Sequence, residues 1–293
     1  MRRIARVGLV AKQRVDAAAT VLTDLAAWLE ARHIGVVFET ETALLARPQS
    51  TMAMTSKEDL PKLCDLIVLL GGDGTLIGMA RRIARAAVDV PIAGVNFGSL
   101  GFLTEITLDD LYPSLEAVLA GEAPIEDRMM LRARTIRNGA TFADEFVLND
   151  VVITKAALSR IIELGVSVGG DAVMRVRADG LIVATPTGST AYNLAAGGPI
   201  VHPEVDAVLL TPIAPHMLTN RPLVVDGTSE IAVEPVMNGN EEVFVTFDGQ
   251  SGHALLGGDV IAIRRADRPL RLVRSASRSY FDVLRQKLKW GER

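Results

Sequence analysis

The feature that most constrains the fold is an apolar strand that runs into a glycine-rich turn and then into a helix. Residues 66–70 (LIVLL) are apolar without interruption, GGDGT follows at 71–75, and a helical pattern then continues to about residue 87. A short continuous apolar run is typical of a strand buried on both faces of a parallel sheet. Ligands of such sheets bind beyond the carboxyl ends of the strands, so we expect the turn at a binding site.

The spacing of apolar residues changes along the chain and predicts two domains of different architecture. Up to about residue 130, strands alternate with helices, which predicts a Rossmann-like α/β domain with a parallel sheet. Beyond it, turn signals such as Asn138-Gly139 and Asn238-Gly239-Asn240 separate short strand patterns, which predicts a mostly antiparallel β domain. We therefore expect an α/β domain at 1–130, a β-rich domain at 131–275 and a terminal segment at 276–293.

Two single elements follow from the same patterns. Residues 146–154 (FVLNDVVIT) have the composition of a strand. Residues 280–290 predict a terminal helix that packs back on the first domain. Its residues Tyr280, Phe281, Leu284 and Leu288 recur at roughly helical spacing, so they are expected to form a buried face.

Composition excludes several classes of protein. The net charge of −4 over 293 residues argues against bulk binding to nucleic acid or to acidic membranes. The single cysteine, Cys64, rules out an intramolecular disulfide and any site that needs several thiolates, and it fits a reducing cytosol. No apolar run approaches the roughly 20 residues of a membrane-spanning helix, so a cytoplasmic protein without a membrane partner is expected.

The GGDGT turn suits a phosphate or a sugar. Glycines let such groups approach the backbone, and the start of the helix offers free N–H groups and partial positive charge. The turn lacks the Gly-Lys-Ser/Thr of a Walker loop, and the spacing of Gly72, Gly74 and Gly78 misses the dinucleotide fingerprint by one residue. On spacing alone, Asp73 is equally well interpreted as a helix cap in an ordinary glycine turn.

A second stretch, residues 179–192 (DGLIVATPTGSTAY), is rich in small and hydroxyl-bearing residues that suit close contact with a polar ligand. Its Tyr192 has a ring that can stack on a base. A plain turn before a tightly packed helix is the simpler interpretation of the small residues alone. Ser189 does not fit a hydrolase nucleophile, because its neighbours do not form Gly-x-Ser-x-Gly.

Five motifs, in order, resemble those of the bacterial NAD kinase family, and the resemblance covers nearly the whole chain. GGDGT alone is shared with diacylglycerol-type lipid kinases, and a close variant occurs in phosphofructokinases. The stretch at 179–192 together with Asn149-Asp150 is far more specific. The motifs are GGDGT at 71–75, GVNFGSLGFL at 94–103, LND at 148–150, the stretch at 179–192 and FDGQ at 247–250.

The resemblance implies an α/β domain and a β-rich NAD-binding domain with the active site between them. It implies transfer of the γ-phosphoryl group of ATP to the adenosine 2′-hydroxyl of NAD, which gives NADP. Members are homo-oligomers, so a dimer or tetramer is expected, and they need a divalent metal cation, for which Mg²⁺ is the expected ion. The sequence places no metal ligand, because none of its four histidines has ligand spacing with another.

The resemblance also carries roles to single residues. Asp73 matches the catalytic aspartate, which contacts NAD and accepts the proton of the ribose hydroxyl. Asn149 and Asp150 match the family's Asn-acid pair, whose amide suits a base edge and whose carboxylate suits a ribose diol. The phosphate loop is Gly71, Gly72, Gly74 and Thr75. The other NAD-binding positions are Gly74, Arg160, Arg177, Asp179, Thr187, Thr190, Ala191, Tyr192, Asn193, Leu194, Ala195, Ala214 and Gln250.

Three alternatives stay open at this point. A lipid kinase of the GGDGT superfamily would share the turn and the two-domain plan, but it gives no reason for the stretch at 179–192. A sugar-phosphate kinase would need a basic acceptor pocket, which the sequence does not locate. A dinucleotide sensor that binds without turnover would not need the carboxylate of Asp73.

Overall fold

The structure is a computed structural model that describes residues 3–12, 16–46, 52–98, 100–156, 161–217, 219–237 and 242–290. Two predicted features, Arg160 and the turn at 238–240, lie outside these residues. The chain divides into two compact units. The first unit comprises Met1–Asp127 with Leu270–Arg293, and the second comprises Arg128–Pro269.

Strands outnumber helices in the described parts of both units. In the first unit the strands are β1 (Arg6–Ala11), β2 (Gly35–Glu39), β3 (Ala53–Thr55), β4 (Leu66–Leu70), β5 (Ile92–Val95) and β6 (Ile125–Arg128). The second unit contains β7 (Leu131–Arg137), β8 (Ala140–Val147), β9 (Asp150–Lys155), β10 (Ile162–Val168), β11 (Asp171–Ala178), β12 (Gly180–Ala184), β13 (Ala207–Ile213), β14 (Leu223–Asp226), β15 (Ile231–Val236), β16 (Val243–Phe247), β17 (Ser251–Leu255) and β18 (Val260–Arg265), and β19 (Leu270–Val273) returns to the first. The helices are α1 (Asp16–Glu30), α2 (Thr40–Ala46), α3 (Leu60–Leu63), α4 (Asp73–Ala86), α5 (Leu111–Ala120), α6 (Tyr192–Ala195) and α7 (Tyr280–Leu288).

The first unit is built on a seven-stranded sheet of order β3-β2-β1-β4-β5-β19-β6, in which β1 to β5 and β19 pair in parallel. All five residues of β4 are buried, which explains the continuous apolar run at 66–70. The order runs from β1 to β3 in one direction and through β4 and β5 in the other. The GGDGT turn therefore lies at the point where strand order reverses, which is where ligands bind in open α/β sheets.

The second unit contains two six-stranded sheets, of order β11-β10-β15-β18-β7-β8 and β14-β13-β12-β9-β16-β17. The strand pairs are antiparallel. Both sheets contribute to one apolar core, with Leu131 and Ile263 from the first and Val151 and Phe247 from the second. The predicted fold class, an α/β domain followed by a mostly β domain, is confirmed.

Single elements show where the sequence patterns were right and where they were wrong. Asn138 and Gly139 both have positive φ and join β7 to β8, as their sequence predicts. Residues 146–154 are not one strand, because β8 ends at Val147 and β9 begins at Asp150. In α7, Phe281 is 59% exposed and Val283 is buried instead, so the predicted face was wrong at that position. No helix in the described ranges is long and apolar enough to cross a membrane.

Candidate active site

The GGDGT turn joins β4 to α4 without a side-chain cap. Gly72 is the N-cap in extended conformation, with φ −101° and ψ 178°, and Asp73 is the first helical residue. The interpretation of Asp73 as a helix cap is therefore wrong. A Cβ built at Gly72 or Gly74 would meet no atom within 4 Å, so internal packing does not demand glycine at either position. This open space lies beside the N-terminal end of α4, the end of a helix that carries partial positive charge.

The carboxylate of Asp73 accepts four hydrogen bonds from a turn about 30 residues further along the chain. Its Oδ1 accepts from Leu103 N at 3.2 Å, Thr104 N at 3.0 Å and Thr104 Oγ1 at 2.8 Å. Within the described ranges, its Oδ2 accepts only from Phe102 N, at 2.8 Å. A Cβ at Gly101 would lie 2.0 Å from Oδ1, so only glycine fits there. Because Asp73 is half-buried and Oδ2 has one donor, that oxygen can accept a further hydrogen bond.

The second unit contains a closely similar arrangement around Asp248, between β16 and β17. Its Oδ2 accepts from Leu148 N at 2.9 Å, and its Oδ1 accepts from Asn149 N at 2.8 Å and Asp150 N at 3.0 Å. Asp248 and Gly249 both adopt left-handed backbone, with φ 52° and 62°. The turn that carries the predicted Asn-acid pair is thus held by one carboxylate from the FDGQ motif.

Asp150 is an unusual acid because its side chain is almost fully buried. The residue is 5% exposed. Burial, and then the negative charge of Asp248, raise the pKa of the Asp150 carboxyl to about 7. This carboxyl therefore keeps its proton to a much higher pH than an ordinary aspartate carboxyl.

The stretch at 179–192 packs directly against the same turn. Thr185 donates from N to Asn149 O at 2.9 Å and from Oγ1 to Leu148 O at 2.6 Å. A Cβ at Gly188 would lie 2.2 Å from Asn149 O. The two motifs that make the family resemblance specific are therefore neighbours in space, and the small residues between them permit that approach.

The predicted NAD-binding residues after Thr185 differ in what their side chains can do. Tyr192 is 45% exposed, so its ring is accessible for stacking. The amide of Asn193 is used internally, since Nδ2 donates to Ser189 O and Pro199 O and Oδ1 accepts from Thr211 Oγ1. Thr187 is 7% exposed and its Oγ1 lies 3.5 Å from Nη1 of a buried arginine, Arg128. Thr190 closes a 3₁₀ turn that begins at Thr187, and Ala191 leads into α6, which contains Leu194 and Ala195.

The other predicted site residues are not gathered at one place. Gln250 is exposed and lies in the Asp248 turn. Arg177, Asp179 and Ala214 lie instead at the start of β12, where Asp179 N donates to Ile213 O. Asp150 pairs with Ala184 at the other end of that strand, a separation of roughly 15 Å. The predicted residues of the second unit therefore form two groups, one at each end of β12.

A metal site is not assembled by the described side chains. Within the described ranges, no three His, Cys, Asp or Glu side chains converge in a way that could hold a metal ion. Mg²⁺ is commonly bound through one or two carboxylates together with substrate phosphates and water. With no such cluster among the described side chains, a bound Mg²⁺ would depend largely on substrate phosphates and water.

Two residues that organise the site were not singled out from the sequence. Asp248 lies in a quoted motif, FDGQ, from which only Gln250 was selected. Its left-handed neighbour Gly249 was a usable signal, because Asp-Gly often marks a tight turn. Thr104 follows GVNFGSLGFL, and its contact with Asp73 depends on the return of a distant turn, for which the sequence offers no local signal.

Comparison with known proteins identifies both halves of the chain. The ATP-NAD kinase N-terminal domain matches residues 7–123, and the ATP-NAD kinase C-terminal domain matches residues 148–275. The NAD kinase of Geotalea daltonii is 49% identical over 288 residues, which cover 98% of this chain and 99% of the relative. The NAD kinase of Citrifermentans bemidjiense is 50% identical over 290 residues, with coverage of 98% and 99%.

Solved structures resemble the chain over almost its whole length. Yeast NADH kinase complexed with NADH has a TM-score of 0.90 at 24% identity and covers 100% of this chain and 90% of its own. An NAD kinase from Archaeoglobus fulgidus in complex with ATP has a TM-score of 0.75 at 25% identity, with coverage of 97% and 98%. Asp73 falls within the matched N-terminal domain, and Asp248 falls within the matched C-terminal domain.

Proposed function

The chain belongs to the ATP-NAD kinase family and phosphorylates NAD with ATP, and from that premise we propose that the phosphoryl group goes to the 2′-hydroxyl of the adenosine ribose. Asp73 is the proposed base. The observation that carries this role is the geometry of its carboxylate, which four donors hold in place while Oδ2 keeps room for another hydrogen bond. A base must be held firmly and yet accept one more proton, and Asp73 meets both conditions.

The proposed step is an in-line phosphoryl transfer. As the ribose oxygen attacks the γ-phosphorus, its proton passes to Oδ2 of Asp73. The new O–P bond forms while the bond from the γ-phosphorus to the β–γ bridging oxygen breaks, which leaves ADP. Enzymes of this type act mainly by positioning and by stabilising charge. The open space at Gly72 and Gly74 and the partial positive charge at the start of α4 suit the phosphates.

The second unit is proposed to hold the dinucleotide. The turn with Asn149 and Asp150 offers an amide for a base edge and a carboxyl for a ribose diol. The exposed ring of Tyr192 suits stacking on a base. Arg177, Asp179 and Ala214 at the other end of β12 belong to a separate part of the dinucleotide site, because roughly 15 Å of strand separates them from Asp150.

Three further features belong to the proposal through the family. A divalent cation, with Mg²⁺ as the expected ion, would be held largely by the phosphates of ATP, and it would supply charge neutralisation during transfer. A homo-oligomer, dimer or tetramer, and a cytoplasmic location are proposed on the same ground.

The test of the acceptor uses the full chain with ATP, Mg²⁺ and one acceptor at a time. We expect NAD to be converted to a product that an NADP-specific dehydrogenase reduces, and we expect no product from an NAD analogue that lacks the adenosine 2′-hydroxyl. Diacylglycerol and fructose 6-phosphate are the comparison substrates for the alternative kinases. Phosphorylation of the deoxy analogue, or a rate on either comparison substrate close to that on NAD, would contradict the proposal.

A further inference from the structure

The turn that holds Asp73 is itself fastened by the C-terminal segment of the chain. Glu105 directly follows Thr104 and its side chain is 1% exposed. Its Oε2 accepts from Nε of Arg274 at 2.6 Å. Arg278 Nη1 donates to the backbone oxygen of Glu105 at 3.0 Å. Nothing in the established activity assigns a role to either arginine.

A third contact reaches the other end of the same turn. Lys287 on α7 places its Nζ 5.9 Å from the centroid of the Phe102 ring, within the range of a cation–π interaction. Phe102 N is the donor to Oδ2 of Asp73. The C-terminal segment therefore contacts the 102–105 turn at its first and last residues.

Arg274 is well suited to hold its partner rigidly. Its guanidinium also donates from Nη1 to Glu126 Oε2 at 2.5 Å, and its side chain is 12% exposed. Burial works against the charge of Arg274, but Glu105 and Glu126 outweigh it, so the pKa of the guanidinium is raised. A planar fork that binds two carboxylates at once fixes their relative positions, which a lysine cannot do.

We propose that Arg274 is a positioning residue for phosphoryl transfer, which acts through Glu105 and the 102–104 turn to orient the carboxylate of Asp73. The inference rests on the proposed role of Asp73. Because effective catalysis requires the reacting groups to be placed within a fraction of an ångström, a small shift of this turn should lower kcat much more than the affinity for NAD.

The chain offers a matched pair of variants. Glu105 and Glu126 bind the same guanidinium with side chains that are 1% and 10% exposed, but only Glu105 is continuous with the turn. We expect Glu105→Gln to lower kcat by about tenfold to a hundredfold with little change in the KM for NAD. Glu126→Gln should leave kcat within about twofold, with both variants assayed well below their melting temperatures.

Arg274→Lys supplies an independent variant that retains the charge. We expect it to lower kcat by about tenfold, because an ammonium does not hold the Glu105 carboxylate in the fixed geometry of a guanidinium. Arg271 on β19 is the control arginine, since it pairs with Asp89 at the surface, and Arg271→Met should retain kcat. The proposal is overturned if Glu105→Gln and Arg274→Lys keep wild-type kcat, or if Glu126→Gln loses kcat as strongly as Glu105→Gln.

Hydrogen exchange separates this inference from the proposed base. Exchange of the Phe102, Leu103 and Thr104 amides in the substrate-free chain should be about tenfold faster or more in Glu105→Gln and unchanged in Glu126→Gln. If exchange and kcat of Glu105→Gln change as expected but Asp73→Asn remains active, the assignment of Asp73 as the base fails. The inference that Arg274 positions Asp73 for phosphoryl transfer then fails as well, although the exchange result would still show that Arg274 holds the turn. If Asp73→Asn is inactive and Glu105→Gln exchanges like wild type, only the positioning inference fails.

Discussion

In each unit, one aspartate carboxylate accepts hydrogen bonds from the backbone of a distant turn, but the two carboxylates have different proposed roles. Asp73 accepts from three successive backbone N–H groups at 102–104, and Asp248 accepts from three successive N–H groups at 148–150. In the first unit, the aspartate that holds the turn, Asp73, is also the proposed base. In the second unit, Asp248 holds the turn, and the proposed ligand group belongs to a different residue, Asp150.

This difference determines how the two sites respond to substitution. A change at Asp73 alters the chemistry and the turn together, so a single variant cannot separate them. In the second unit, Asp248 can be changed to disturb the turn, and Asp150 can be changed to alter the ligand group. A carboxylate that accepts several backbone hydrogen bonds stabilises a turn whether or not it is catalytic, so loss of activity on its substitution does not by itself show a catalytic role.

The largest effect is expected at Asp73. Asp73→Asn removes the base, and its amide group cannot accept the hydrogen bonds that Oδ1 and Oδ2 accept together. We expect kcat to fall by about 10²–10⁴ and the melting temperature to fall as well, because buried N–H groups lose partners at about 1–3 kcal/mol each. Kinetics and thermal melting are the measurements.

Thr104→Val is the control for that experiment. It removes one donor to Oδ1 and retains the carboxylate and the three backbone donors, so it should lower kcat much less than Asp73→Asn does. If both variants lose activity only in proportion to their melting temperatures, Asp73 serves the turn and not the chemistry.

The next largest effect is expected at Asp248, which holds the turn at 148–150 in the second unit. Asp248→Asn replaces one of two accepting oxygens with a donor, which should lower the free energy of unfolding by about 2 kcal/mol. The displaced Asn149-Asp150 turn should weaken NAD binding by about tenfold, while kcat at saturating NAD changes less. Denaturant unfolding and calorimetry measure these quantities. Unchanged NAD affinity in a destabilised variant would show that this turn is not part of the dinucleotide site.

The third prediction concerns pH and the buried Asp150. The pKa of its carboxyl is raised to about 7 in the folded chain, against 3.8 in the unfolded chain. The contribution of this carboxyl to the free energy of unfolding is therefore complete below pH 3.8 and is lost as the pH rises through 7. Asp150→Asn removes this dependence. Relative to wild type, its stability should therefore increase by roughly 2 kcal/mol between about pH 5.5 and about pH 8.5. A constant difference across that range would mean that the carboxyl titrates normally.

The smallest effects on stability are expected from glycine-to-alanine substitutions at Gly249, in the Asp248 turn, and at Gly74, in the GGDGT turn. Gly249 has φ 62° and open space around it, so Gly249→Ala should cost about 1 kcal/mol through backbone strain alone. Gly74 lies in the first turn of α4, so Gly74→Ala should leave the free energy of unfolding unchanged or raise it by up to about 1 kcal/mol. Activity should nevertheless fall in Gly74→Ala, where the added methyl group enters the proposed phosphate space. Full activity of Gly74→Ala would remove that role from the glycine.

Much of the architecture could be predicted from local patterns. The fully buried β4 and the hairpin turn at Asn138-Gly139 have strong signatures, and both are confirmed. The break between β8 and β9 was missed, because the apolar residues on each side of Asn149-Asp150 continue the strand composition. Phe281 was assigned to a buried face on its hydrophobicity, although Tyr280, Val283 and Leu284 face the core at helical spacing.

The sequence by itself determined the family and the fold class, and it singled out GGDGT and Asn149-Asp150 as candidate site motifs. These properties depend on composition, spacing and short motifs, which are local along the chain. Only the tertiary structure decided that Asp73 holds the 102–104 turn, that Asp248 holds the Asn149-Asp150 turn, and that Arg274 reaches Glu105. Each of these contacts joins groups separated by about 30 to 170 residues, and a hydrogen bond depends on distances of a few ångströms that no sequence spacing specifies.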